Sequence, residues 1–146
     1  MKKSLTIKRV KPLSPYRVRV TWSNGLAVTL DLADAIARSR SLIALRDITM
    51  FNKAKPGEWG HSIHWTDDIE LGAESLWRRT LAAIGRKDVA QFMDWRLRHS
   101  LSLSRAAEEL GLSRRMVAYY ESGRHKVPKT VLLACKGWET RHGRAA

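Results

Sequence analysis

From Thr6 to Leu32 apolar and polar side chains alternate with period two, the pattern of strands with one buried face. "TIKRV" and "YRVRVTW" carry the alternation, and "LAVTLDL" resumes it after "SNG". Val18, Val20 and Trp22 are predicted on one face, with Arg17, Arg19 and Thr21 on the other. Asn24-Gly25 predicts a two-residue hairpin of type I′, since both residues tolerate the positive φ that this turn requires. "LADAIARS" follows as a short helix capped by Asp31 or Asp34, and "LIALRDITMF" as a mixed segment. It ends at a loop, "NKAKPGEWG". "HSIHW" and "DIELG" then predict a second pair of short strands around "TDD".

Beyond about Glu74 the period becomes helical. "AESLWRRTLAAI" reads as a connecting helix, and Gly85 with the basic pair behind it marks a boundary. In "KDVAQFMDWRLRHS" Val89, Phe92, Met93 and Leu97 form one predicted buried stripe. Ser102 is placed to cap a second helix that runs to Leu110 and stops at Gly111. Ser113 caps a third, with Met116 or Val117 and Tyr120 facing inward. Pro128 is expected in the first turn of a fourth, with Val131, Leu132 and Cys135 turned to the core. The second and third helices are joined so tightly that they must cross steeply. The expected organisation is a small α+β domain over residues 1–78, an antiparallel sheet with a short helix, and an all-α domain over 79–146.

Composition leaves the fold expectation intact and redirects the functional one. Of 146 residues, 44% are hydrophobic and 28% charged, ordinary for a globular protein. The net charge of +13 is not ordinary: it favours a polyanionic partner, nucleic acid first. Residues 1–84 hold 14 basic and 8 acidic groups, and residues 85–146 hold 13 and 6, so both parts share the excess. "MKKSLTIKRVKP" has the basic start of a signal peptide with no apolar stretch behind it. No apolar run approaches the ~18 residues that cross a bilayer, and a cytoplasmic protein is expected. Cys135 is the only cysteine and is read as a small buried apolar residue.

"LSLSRAAEELGLSRRMVAYYESGRHKVP" resembles the helix-turn-helix of the lambda-repressor-like, or Cro and Xre, DNA-binding domains over roughly residues 86–140. Leu101 and Ser102 at the start, Ala107 where two helices touch, "LGLS" as the turn and "VAYYESG" as the ending carry the likeness. The resemblance implies that the third helix lies in the major groove, with Arg114, Arg115 and Tyr119 at base edges. Ser102, Ser113, Arg124 and Lys126 would then hold phosphates, and Glu121 would bond within the domain. The family often has Gln at the second helix's second position, where it braces the recognition helix. Here that position is Leu103, and Ser104 or Arg105 is the candidate replacement. On charge alone, Arg114, Arg115 and Arg124 could be a solvated face; the cap spacing and the glycine pair favour the groove.

Residues 6–77 resemble a small, β-rich, uncharacterised bacterial domain family of unknown function, through "YRVRVTWSNG", "LDLAD", "LRDITMF" and "SIHWTDDIELGAESLW". The resemblance implies a domain found alone or fused to a helix-turn-helix, with some members beside toxin-like genes. It brings no catalytic residues. His61 and His64, with Asp67 and Asp68, have a spacing open to a metal, but strand alternation puts the two histidines on opposite faces, so a surface loop is favoured. No nucleophile motif or phosphate-cradling loop is present, and a non-enzyme without cofactor or metal is expected. Trp22, Trp65 and Trp77 are read as core and Trp59 as partly exposed, against the alternative of a platform that stacks single-stranded bases. Lys2, Lys3, Lys8, Arg9, Lys11, Arg17 and Arg19 precede any acid, and could follow phosphates or serve solubility.

The expected function is a transcriptional regulator that binds duplex DNA in sequence-specific fashion, as a homodimer reading two half-sites. The alternative is an antitoxin-like interaction protein, whose first domain binds a toxin-like protein partner while its helix-turn-helix regulates its own operon. Neither reading involves a membrane.

Overall fold

The structure, a computed structural model, describes residues 5–142; Lys2 and Lys3 lie outside them. The chain is α+β and divides into two compact units, Met1–Ala83 and Ile84–Ala146. The division falls beyond the 78/79 limit set for the domains and next to Gly85, the boundary residue read from the sequence. The helix at that point continues to Ala83 and still buries Thr80 and Leu81 in its last turns.

In the first unit, β1 (Ile7–Leu13), β2 (Arg17–Trp22) and β3 (Ala27–Asp31) form an antiparallel sheet in that order. The alternation read from the sequence is realised: Val18, Val20 and Trp22 are fully buried, while Arg17 and Arg19 are exposed. The β2–β3 turn differs from the expected type I′. Only Gly25 of the pair has positive φ (94°). Gly25 N donates to Trp22 O (2.9 Å), Trp22 N to Leu26 O (2.8 Å), and Asn24 Oδ1 accepts from Leu26 N (3.0 Å). This is a three-residue loop, a tight turn closed by a left-handed glycine, and the Asn24 side chain braces it locally.

Next come α1 (Ala33–Arg38), a 3-10 segment (Arg40–Arg46) and α2 (Ile48–Phe51). Asp31 accepts from Ala33 N (2.9 Å) one residue ahead of the α1 cap position, which Leu32 occupies; Asp34 sits in the first turn. A second antiparallel sheet, β4 (Lys55–Pro56), β5 (Ser62–Thr66) and β6 (Ile69–Gly72), leads into α3 (Ala73–Ala83). Strand β4 lies within the segment expected to be loop. It is an edge strand only two residues long, where a proline without an N–H is tolerated.

The core of this unit sets large rings, Trp22, Phe51, Trp65 and Trp77, among aliphatic side chains such as Val18, Leu32 and Leu76. The Trp22 indole donates to Thr80 Oγ1 (3.1 Å) and meets Trp77 edge to face at 5.1 Å. The Trp65 indole donates to Phe51 O (3.0 Å). Large rings with satisfied N–H groups suit a small unit that must bury much area with few residues. Trp59 stands in the Glu58–Gly60 turn, 79% exposed.

The second unit comprises α4 (Lys87–Arg98), α5 (Leu103–Leu110), α6 (Arg114–Glu121) and α7 (Lys129–Arg141). Val89, Phe92 and Met93 are buried on α4 as the stripe predicts, but Leu97 is only half-buried. Trp95 and Arg96 are buried instead. Trp95 packs against Phe92 and Trp138, and Glu121 draws Arg96 inward. On α6, Val117 and Tyr120 are buried and Met116 is half-buried. Pro128 stands one residue earlier than expected, as the α7 N-cap with φ −64° and ψ 152°. Cys135 is buried while Val131 and Leu132 are half-buried; burial pushes its thiol pKa up to about 12, leaving it a neutral packing residue. Among the described residues no helix is long and apolar enough to cross a membrane.

Candidate nucleic-acid interface

Local chemistry sets the α5–α6 pair. Ser102 is extended (φ −75°, ψ 170°) and its hydroxyl accepts from Arg105 N at 3.0 Å, starting α5. Gly111 stops it in the left-handed conformation (φ 73°), donating to carbonyls of the last turn. Ser113 then repeats the capping, its Oγ accepting from Met116 N at 3.0 Å. Ala106 and Ala107, both buried on α5, have side chains small enough for close helix contact.

Helix α6 is fixed from behind. Its inner face carries Val117, Tyr120 and Glu121. Glu121 takes a two-pronged bond from Arg96, Nε to Oε2 at 2.6 Å and the second guanidinium nitrogen to Oε1 at 2.8 Å, and Arg96 also donates to Leu101 O (2.8 Å). One planar fork therefore ties α4, the α5 entry and the end of α6 together.

The opposite face is free of the core. Arg114 and Arg115 are exposed in the first turn, Ala118 and Tyr119 are half-buried one turn on, and Ser122 follows. Residues three and four apart share a helix face, so Arg115 and Tyr119 stand together. Arg114 leans back, its Nε donating to Ser104 Oγ on α5 (2.9 Å). Ser104 thus makes the inter-helix contact that Leu103 cannot, while Arg105 pairs with Glu108 and Glu109 on its own helix.

After α6 the chain folds back. The Arg124 guanidinium lies 4.6 Å over the Tyr119 ring and His125 meets the same ring edge-on at 4.9 Å. Arg86 holds this loop from the start of α4, donating to Gly123 O (3.0 Å) and His125 O (3.4 Å). Asp88 accepts from Val127 N (2.8 Å). Burial raises the Asp88 pKa, but bonds from Arg86 and from Val127 and Val89 N–H outweigh it and hold the carboxyl below its ordinary range. Lys126 is exposed in the same loop.

The residues singled out from the sequence are therefore brought together in part. Arg124 packs on Tyr119, Arg115 stands one turn before Tyr119 on the same helix face, and Arg114 is tethered to Ser104 on α5. Ser102 and Ser113 sit at two separate caps, where each hydroxyl accepts a backbone bond and keeps its own proton to donate. Sequence reasoning missed Ala118 and Ser122, visible as small residues at helical spacing on the same face. It also missed Arg86 and His125, which no local pattern reveals.

In the first unit, His64 Nδ1 is 2.9 Å from Glu70 Oε2 on the neighbouring strand, and His61 lies in the turn before β5. Among the described residues no three His, Cys, Asp or Glu side chains converge as a metal site would need.

An α+β chain whose first unit is built this way matches the family model described as a protein of unknown function, DUF2442, over residues 7–81. The chain belongs to that family. It is also similar to a solved protein, the "Putative DNA Binding Protein NE0471" from Nitrosomonas europaea ATCC 19718, at 35% identity and a TM-score of 0.71. The similarity covers 99% of this chain and 94% of that one. A search among curated proteins finds no match.

Proposed function

We propose that the protein is a sequence-specific regulator of transcription that binds duplex DNA through a lambda-repressor-like helix-turn-helix, with residues 113–122 entering the major groove. The carrying observation is the α6 face. A helix capped at Ser113 and braced by the Arg96–Glu121 fork presents Arg115 and Tyr119 outward on one side. The name given to the Nitrosomonas europaea protein supports DNA binding, the coarser part of this reading. In the full reading, Arg114, Arg115 and Tyr119 read base edges, Arg114 through the terminal nitrogens that Ser104 leaves available. Arg124 and Lys126 hold phosphates, as do the Ser102 and Ser113 hydroxyls. The protein acts in the bacterial cytoplasm as a homodimer on paired half-sites. It uses no cofactor, metal or catalytic group.

The test is binding to the gene's own upstream duplex and to random-sequence duplex across a salt series. Tighter upstream binding is expected. Arg115→Ala should lower the preference by about 1–3 kcal/mol, and Tyr119→Ala should also relax it. Arg124→Ala should weaken both duplexes alike and flatten the salt dependence. Equal affinity for the two duplexes in the unsubstituted protein would sink the proposal.

A further inference from the structure

The outer face of the β1–β2–β3 sheet carries a group of cations. Register sets Arg9 opposite Thr21, Lys11 opposite Arg19 and Leu13 opposite Arg17 on one side of β2. On the other side it sets Arg17 opposite Asp31 and Arg19 opposite Thr29. Directly paired residues share a face, and Arg9, Lys11, Arg17, Arg19 and Thr29 are all exposed. Lys11 and Arg19 are like charges facing each other across a ladder, an arrangement that opposes folding. Arg17 donates to Ser14 O (2.8 Å) and Arg19 to Thr29 Oγ1 (3.5 Å). Among the described residues no carboxylate lies within ion-pair distance of Arg9, Lys11 or Arg19. Asp31, on this face by register, accepts from Ala33 N instead.

We infer that this sheet face is a second contact for duplex DNA, gripping its phosphate backbone through Arg9, Lys11 and Arg19. The inference rests on the reading that the chain binds duplex DNA, but not on how α6 reads bases. The chemistry of the face selects the partner. Single strands are held by stacking bases on exposed rings, and Trp22, Trp65 and Trp77 are buried. The exposed Trp59 belongs to the turn before β5, not to this sheet. Peripheral membrane binding sinks an apolar face into the lipid, and a protein partner needs an apolar centre depleted of charge. Among the described residues, the unit's exposed large apolar side chains, Ile43, Ile48 and Trp59, all lie outside the sheet. Arginine, lysine and threonine on a polar surface are what phosphate oxygens accept from.

The test uses the full chain with Lys11→Gln and Arg19→Gln combined. The slope of log affinity against log salt should become shallower by about 1.8 per bound chain, two phosphates at ~0.9 each. The ratio of upstream to random affinity should not change. Removing the Lys11–Arg19 opposition should leave Tm unchanged or raised, which also reports folding. Arg9→Gln, outside the pair, should reduce the slope by about 0.9 and serves if the double variant loses Tm. An unchanged slope in folded variants overturns the inference, as does loss of binding to phosphatidylserine vesicles with duplex binding intact. If Arg115→Ala leaves base preference unaltered while the sheet variants flatten the slope, the α6 reading fails and this one stands. The converse result removes only the sheet.

Discussion

The Arg96 and Glu121 side chains are only 11% and 12% exposed, so their charges are held largely out of water. A buried pair contributes little relative to a well-packed apolar replacement, but removing one partner strands the other and costs roughly 3–5 kcal/mol. Arg96→Ala should therefore lower the stability of the second unit by about 3 kcal/mol, read as a lower urea midpoint at similar slope. A loss under ~1 kcal/mol would mean that Glu121 finds water in the folded state. Glu139 differs in being partly exposed. Arg98 donates to it at 2.6 Å and His99 Nε2 lies at 2.7 Å, and these contacts hold its carboxyl below the ordinary 4.5. Glu109 is lowered in the same direction, first by the Trp138 indole that donates to it at 2.7 Å. A carboxyl favoured as its anion in the folded state contributes stability that is complete above 4.5 and lost as pH falls through its lowered folded value. Glu139→Gln should thus start with a lower Tm at neutral pH and lose less on acidification. Parallel melting curves at every pH would show that Glu139 is not among the groups responsible for acid sensitivity.

At the scale of elements, the α5–α6 turn shows what sequence can and cannot disclose. Ser102, Gly111 and Ser113 were legible because a cap is a local device: the hydroxyl and the N–H it receives are three residues apart. The alternation of β2 was legible for the same reason. Strand β4 was not, since two residues cannot show a period. The Asn24-Gly25 turn was placed correctly but typed wrongly, because loop length depends on how β2 and β3 pair and not on the dipeptide alone. The burial of Arg96 in place of Leu97 depends on Glu121, 25 residues away. Within the candidate site, the outward positions of Arg114 and Arg115 were expected from the resemblance to the helix-turn-helix. The layering of Arg124 and His125 on Tyr119 did not, because it needs the loop that Arg86 and Asp88 hold in place. The turn itself makes a clean prediction. Gly111 has φ 73° and open space where a Cβ would stand, so Gly111→Ala meets only backbone strain. A loss of about 1 kcal/mol is expected in denaturant unfolding; no loss would show that the α5 terminus relaxes out of the left-handed conformation.

At the scale of the whole molecule, the excess charge is shared by both parts of the chain, so salt dependence measures how many of its cations meet phosphate. The proposed contacts are Arg9, Lys11 and Arg19 on the sheet with Arg124 and Lys126 in the loop after α6; the serine hydroxyls add bonds but release no counterions. Five neutralised phosphates give a slope of roughly −4.5 for one bound chain and roughly −9 for two. A single helix module buries little DNA surface, and two copies on half-sites one helical turn apart are the usual answer. The slope on the upstream duplex should therefore lie near −9, with two chains per duplex by sedimentation of the complex. A slope near −4.5 with one chain would keep both contact surfaces and remove the dimer. Two chains with a slope near −4 would keep the dimer and remove the sheet, since only Arg124 and Lys126 of each copy would then be releasing counterions.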